Sequence, residues 1–359
     1  MKSLPGFDVK TLESPKGDGR NVDASRGILV GEGAQQRSVH QEVPAHPLPR
    51  TAPQGGTSPT YYEQPMLKQP VWRWMVPAYF YTGGMAGGAA LLGGAIGLFG
   101  GGRFARLEQR CYQVGFVNAS VSGVLLIADL GRPTRFLNMM RVFRPTSPMN
   151  LGVWLLSGAV VSLGFGVTVS RSRLWPLAML GRAGCFVFGA PLASYTGVLL
   201  ANTAVPLWQS ARKSLPLLFM GSALASSSAA LEMLPLEEDE RKLVGLFALV
   251  GRAAELAMGV ALEREVRAEG ARVEQPLRTG ASGALWKASK VLTGASLALT
   301  LVSRKSKRWD QVAAVAATLG ALALRFGIYH AGSRTTRDAR ASFEPQRERA
   351  EGIRLPVVP

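Results

Sequence analysis

The order of apolar and polar positions divides the chain into a long apolar centre and two polar ends. Between about residue 77 and residue 330, windows of about twenty residues with few or no charges recur. A helix of about twenty residues is what crosses a hydrocarbon core of about 30 Å. The pattern predicts spans over 77–100, 112–130, 150–170, 176–202, 214–234, 243–262, 281–302 and 310–330. The segments between them are short and polar, as required where backbone leaves a helix and must meet water or headgroups. The expected fold class is therefore an all-α integral membrane protein with about eight transmembrane helices.

Residues 1–60 are rich in Pro, Gly and Ser, carry nearly balanced charge, and have neither helical nor strand periodicity. They read as a disordered or extended tail. The short apolar core of a cleavable signal peptide is not visible there, so insertion falls to the first span. Residues 61–333 form the expected transmembrane domain, and 334–359 a polar C-terminal tail.

The first span carries Gly83, Gly84, Gly87, Gly88, Gly93, Gly94 and Gly97. Several fall four apart and make overlapping small-xxx-small faces, along which another helix can approach backbone to backbone. A phosphate-cradling loop would need a preceding strand in a soluble unit, which the pattern does not offer. With eight spans both termini lie on one side, side A, with the loops 131–149, 203–213 and 263–279. Side B holds the loops 101–111, 171–175, 235–242 and 303–309. Arg and Lys are divided almost evenly between the two, so the positive-inside rule does not orient the chain.

Composition changes this picture little, because 47% hydrophobic residues is close to the globular average and hides the clustering. A net charge of +17 would raise nucleic acid as the partner of a soluble protein. Here the cations sit in short groups between apolar runs: Arg103, Arg106 and Arg110; Arg132, Arg135, Arg141 and Arg144; Arg304, Lys305, Lys307 and Arg308. Those are positions where they anchor helix ends to headgroups, and the expected partner is the bilayer rather than nucleic acid. Cys111 and Cys185 are too few for a cluster or zinc site. His40, His46 and His330 do not face one another across a bundle, so neither metal nor haem is expected in this chain.

The candidate chemistry gathers on side A. Asp129, in the last turn of the second span, opposes the helix dipole near the hydrocarbon boundary and needs a compensating partner. Arg132, three residues on, would supply it in a structural clasp; alternatively the carboxylate accepts a proton or a ligand hydroxyl. Tyr195 and Tyr79 lie in the side-A halves of the fourth and first spans, and a buried phenol seeks a hydrogen-bond partner. Trp72, Trp74 and Trp208 read singly as interfacial belt residues. Deeper are Asn118, Arg182, Glu232, Arg252, Glu255, Lys287 and Arg325, each costing about 2.5–3.5 kcal/mol at a helix centre and so expected to face the bundle interior. Arg252 and Glu255, three apart, can pair. These charges are either mutual counter-ions or a proton or ion relay.

Several strings resemble the NrfD/PsrC family of membrane subunits of polysulfide reductase-like respiratory oxidoreductases. They are Tyr61 to Trp74, Pro77 to Gly88, Asp129 to Phe136 (Asp-Leu-Gly-Arg-Pro-x-Arg-Phe), Arg141 to Met149, Tyr195-Thr-Gly, and Ala201 to Trp208, with a weaker echo in Leu324 to Asp338. The resemblance implies two four-helix bundles, no haem, and a quinone or quinol (menaquinone or ubiquinone) site near one membrane face. It also implies a ferredoxin-like iron-sulfur partner docked there, leading to a molybdopterin or cytochrome subunit. In the family that face is usually periplasmic, which would make side A periplasmic in a cytoplasmic (inner) membrane. By position Tyr195 matches the family's quinone-contacting tyrosine, Tyr79 stands where some members have histidine, and Val76 where some have asparagine. The expected quinone-binding residues are thus Trp74, Tyr79, Asp129, Arg132 and Tyr195, with Asp129, Arg252 and Glu255 moving protons. The rival expectation is a transporter or proton channel built on the intramembrane charges; a purely structural anchor is the third.

Overall fold

The structure is a computed structural model that describes residues 21–23, 28–30, 67, 70, 72–130, 134–170, 174–302 and 307–342. The chain divides into two units, 1–60 and 61–359. In the first, β1 (Asn21–Asp23) pairs antiparallel with β2 (Ile28–Val30), Asn21 opposite Val30. The rest of the expected tail lies outside the described residues.

The second unit is helical. Four helices, α1 (Met75–Phe99), α2 (Ala105–Asp129), α4 (Pro148–Val169) and α5 (Trp175–Ala201), pack as one bundle, with the short α3 (Thr134–Met140) in the loop before α4. After the one-turn α6 (Pro206–Ser210), the helices α7 (Ser214–Glu232), α8 (Glu238–Ala268), α10 (Gly280–Val302) and α11 (Lys307–Thr335) form a second bundle, with α9 (Ala271–Arg278) between α8 and α10. The bundles join where α1 and α5 meet α7 and where α1 meets α11. Among the described residues seven helices are long and apolar enough to cross a membrane. The eighth, α10, stands in the bundle with them but carries Lys287 and Lys290 and a run of small and hydroxyl residues, which dilute its apolar character. The all-α membrane class holds, and the count of eight includes one helix that depends on its neighbours.

Helix α1 is the hub because its glycines admit three neighbours. A Cβ at Gly87 would fall onto the backbone N of Ala193 and within 2.8 Å of the Gly189 carbonyl on α5. One at Gly88 would lie 2.6 Å from the Ala223 carbonyl on α7. Backbones this close are the small-residue contact expected of the first span, and they replace the absent hydrophobic drive between helices in lipid with packing.

Several helices outrun the apolar windows. Helix α2 begins at Ala105 rather than near 112, and α8 continues to Ala268, so much of the loop expected at 263–279 is α8 and α9. At 1.5 Å per residue the 31 residues of α8 span about 46 Å, more than the hydrocarbon core, so polar ends stand in water while the backbone ladder continues. Apolar windows mark only the part in lipid. On side B, Arg103 pairs with Asp239 at 2.6 Å, Arg106 with Glu237 at 3.0 Å and Arg110 with Glu240 at 3.4 Å. These cations, expected at headgroups, instead tie the first bundle to the acidic start of α8.

Candidate functional site

At the side-A end of the first bundle, α4 starts with Ser147 as N-cap, its hydroxyl accepting from the Asn150 N–H, and Pro148 in the first turn. Tyr195 of α5 donates its hydroxyl to the Pro148 carbonyl at 2.5 Å. Its ring reaches that carbonyl over Gly152, whose missing side chain leaves the space the ring fills. Tyr79, in the first turns of α1, is the electrostatic neighbour of Tyr195, and both are buried. The Tyr79 hydroxyl makes no hydrogen bond among the described residues. The buried Thr196 Oγ1 is also without a partner, and Thr196 continues the α5 stripe of Gly189 and Ala193 that lies on α1. Behind Tyr79, Ser122 of α2 bonds Thr82 of α1 at 2.7 Å and donates to the Asn118 carbonyl.

The structure therefore unites two of the expected residues, Tyr79 and Tyr195, and separates others. The partner that the buried Tyr195 phenol needs is the Pro148 carbonyl, and the phenol without a hydrogen bond among the described residues is Tyr79. Asp129 makes its contacts at the seam of the two bundles, against the backbone amide of Arg73 and near Tyr329, rather than with either of these tyrosines. Arg132, the expected clasp partner, lies outside the described residues. Trp74, the N-cap position of α1, is 62% exposed and reads as a belt residue.

Trp72 and Trp208 are not belt residues. Trp208 is fully buried, donates from Nε1 to the Ile328 carbonyl at 2.9 Å, and stacks on Trp72 with ring centroids 5.9 Å apart. Tyr329 completes the stack and donates to the Trp72 carbonyl at 2.5 Å. Phe80 meets the edge of Trp72 and tilts against both Tyr79 and Phe219. A continuous aromatic layer thus closes side A at the junction of the bundles. The sequence carries the individual rings but not their stacking, since Trp72 and Tyr329 stand at opposite ends of the transmembrane domain.

The deep charges sort differently from the expectation. Arg252 does not pair with Glu255 one turn away; it reaches Glu232 on α7 at 2.5 Å and Thr300 on α10. Glu255 instead accepts from Thr293 at 2.6 Å. Both point into the helix interface, where partners on α7 and α10 displace a contact along the surface of α8. Arg182 pairs with Glu108 at 2.8 Å, beside Tyr112, and Asn118 bonds the carbonyl one turn back. Lys287 is exposed rather than inward, about 10 Å from the side-A end of α10, within reach of headgroups for a long side chain. Side B, bland in sequence, has a cavity of about 620 Å³ between the ends of α7, α8, α10 and α11, lined by Glu232, Arg241, Thr300 and Asp310.

The described helices define a polytopic all-α membrane protein built of two helical bundles. The chain belongs to the polysulphide reductase NrfD family, whose model matches residues 63–336. Members of that family are membrane subunits of oxidoreductase complexes. No curated protein matches the chain.

Proposed function

We propose that this chain is the quinone-reactive membrane subunit of a respiratory oxidoreductase. Its site lies between Tyr79 and Tyr195 on side A, and electrons pass between quinol and an iron-sulfur partner docked on that face. The observation that carries the reading is the pairing of these two tyrosines with unequal engagement. Tyr195, held by Pro148, is a fixed ring wall, whereas the hydroxyl of its electrostatic neighbour Tyr79 makes no hydrogen bond among the described residues. A quinone carbonyl would accept the Tyr79 proton donor, and its ring would lie along aromatic surface. Thr196 offers a second unused polar group on the helix that carries Tyr195.

When a quinol gives up two electrons to the partner's clusters it also releases two protons. Asp129, beside the Arg73 backbone amide at the side-A boundary, is the group that would pass these protons to water. Arg252 and Glu255, expected with Asp129 to move protons, belong to the other bundle. Family membership supports a periplasmic side A in the cytoplasmic membrane, with the iron-sulfur subunit leading on to a molybdopterin or cytochrome subunit.

The test is quinol-driven reduction of the clusters in the purified complex. Tyr79→Phe removes one hydrogen bond and no ring, and is expected to weaken quinol use about tenfold, the equivalent of about 1.4 kcal/mol. An unchanged rate in Tyr79→Phe and in Tyr79→Ala would reject the site.

A further inference from the structure

Among the buried charges of the second bundle, four lie between the helices and have no use at the quinone site: Glu232, Arg252, Glu255 and Arg325. Two cations balance two carboxylates, so the set is neutral as a whole, but it is not closed by hydrogen bonds. Glu255 Oε2, Ser222 Oγ, Arg252 Nε, and both Nε and Nη1 of Arg325 are buried without a protein partner. A structural ion-pair network ordinarily satisfies such atoms, because a buried polar atom left unpaired forfeits the hydrogen bond it had with water. Ser222 and the Glu255 carboxylate face one another, and water, the partner small enough to fit between packed helices, would complete the bonding of these groups and of the two guanidinium groups.

The same atoms form a sequence in space. At side B the cavity is lined by Arg241 and Asp310, paired at 3.6 Å, with Glu232 and Thr300 at its floor. Both floor residues bind Arg252, from α7 and α10 respectively. Glu255 lies one turn further along α8, held by Thr293 of α10 and faced by Ser222 of α7. Arg325 of α11 faces Glu255 across the bundle, donates to the Phe219 carbonyl at 3.0 Å, and packs on the Phe219 ring at 3.8 Å. There the polar run stops. Phe219 meets Phe80, and the layer of Trp72, Trp208 and Tyr329 lies between this point and side A.

We propose that the α7–α8–α10–α11 bundle is a one-sided proton access path, filled by water from the side-B cavity, ending at Glu255 and Arg325 and sealed from side A by the aromatic layer. The step is a reversible proton transfer. A hydronium ion in the path gives its proton to Glu255 Oε2, leaving water and a neutral carboxylic acid, and the reverse transfer returns the proton by the same route. Charged groups facing Glu255 are Arg252 on its own helix and Arg325 on α11, with the hydroxyls of Ser222 and Thr293 from α7 and α10. The path is independent of the quinone reading, since neither test of it uses quinol.

Access is read with silver ion, comparable in size to water and poorly permeant through lipid, on the full chain in sealed vesicles of known orientation. Thr300→Cys probes the cavity floor and Ser222→Cys the deep end; Thr293→Cys replaces the latter if it does not fold. Silver occupancy is read as protection of the introduced cysteine from alkylation after unfolding, peptide by peptide, which keeps Cys111 and Cys185 out of the signal. Both positions are expected to be protected by silver on side B and not by silver on side A, and Leu249→Trp at the cavity wall should slow protection of Ser222→Cys at least tenfold. Protection of the deep position from side A, from both sides or from neither overturns the path. Proton loading is read by infrared titration: a carboxylic acid band that grows as pH falls and is missing in Glu255→Gln is expected. Absence of any band that depends on Glu255 overturns the loading step.

Discussion

The Tyr195 hydroxyl sits 2.5 Å from the Pro148 carbonyl, and this bond ties the side-A end of α5 to the start of α4. It exists because Gly152 has no side chain in the path of the ring. Gly152→Ala therefore displaces Tyr195 or shifts α4, at about 1–3 kcal/mol for an overpacked site. The expected result is a lower thermal midpoint in detergent together with weakened quinol use. Tyr195→Phe keeps the ring wall and loses one bond, and should retain most of both.

Glu232 and Arg252 are predicted to be far more sensitive singly than together. Removing one partner leaves a buried charge uncompensated, at about 3–5 kcal/mol, whereas replacing both by apolar residues of similar volume is close to neutral. Arg252→Met should lower the unfolding midpoint strongly and the double variant Arg252→Met with Glu232→Leu should recover most of it. A double variant as unstable as the single one would mean that the pair is held by something other than mutual compensation.

The glycine faces of α1 yield a paired prediction. Gly87→Val drives a branched side chain into the Ala193 backbone and should part α1 from α5, read as loss of monodisperse protein on size exclusion. Gly123→Ala on α2, where an added Cβ meets nothing within 4 Å, should be indistinguishable from the parent.

The two tryptophans before α1 should behave oppositely. Trp72 lies in the stack with Trp208 and Tyr329, so Trp72→Ala opens a cavity in the aromatic layer and should cost about 3–5 kcal/mol. Trp74 is exposed, and Trp74→Ala should leave the unfolding midpoint nearly unchanged.

These contrasts mark the limits of what the sequence discloses. Apolar windows gave the spans because lipid imposes a length, and the spacing of Gly83 to Gly97 announced close helix contacts because only small residues allow them. Helix ends beyond the hydrocarbon were missed, since polar residues at the ends of α2 and α8 interrupt the hydropathy but not the helix. Partner choice was missed as well: Arg252 and Glu255 are neighbours along α8, yet each finds its partner across the interface. Trp74 and Trp72 are nearly adjacent in sequence and differ in fate because Trp208 and Tyr329 come from elsewhere to cover only one. The sequence offers Tyr79 and Tyr195 as candidates, while the unpartnered Thr196 and the separate side-B cavity depend on how the helices meet.

The central claim, a quinone between α1 and α5, is tested most directly by photo-crosslinking. A photoreactive quinone is activated on the assembled complex in membranes, and the labelled peptides are mapped. The account predicts label on Met75–Phe99 and Trp175–Ala201, suppressed by excess unlabelled quinone. Label concentrated instead on Glu238–Ala268 around the side-B cavity would contradict it.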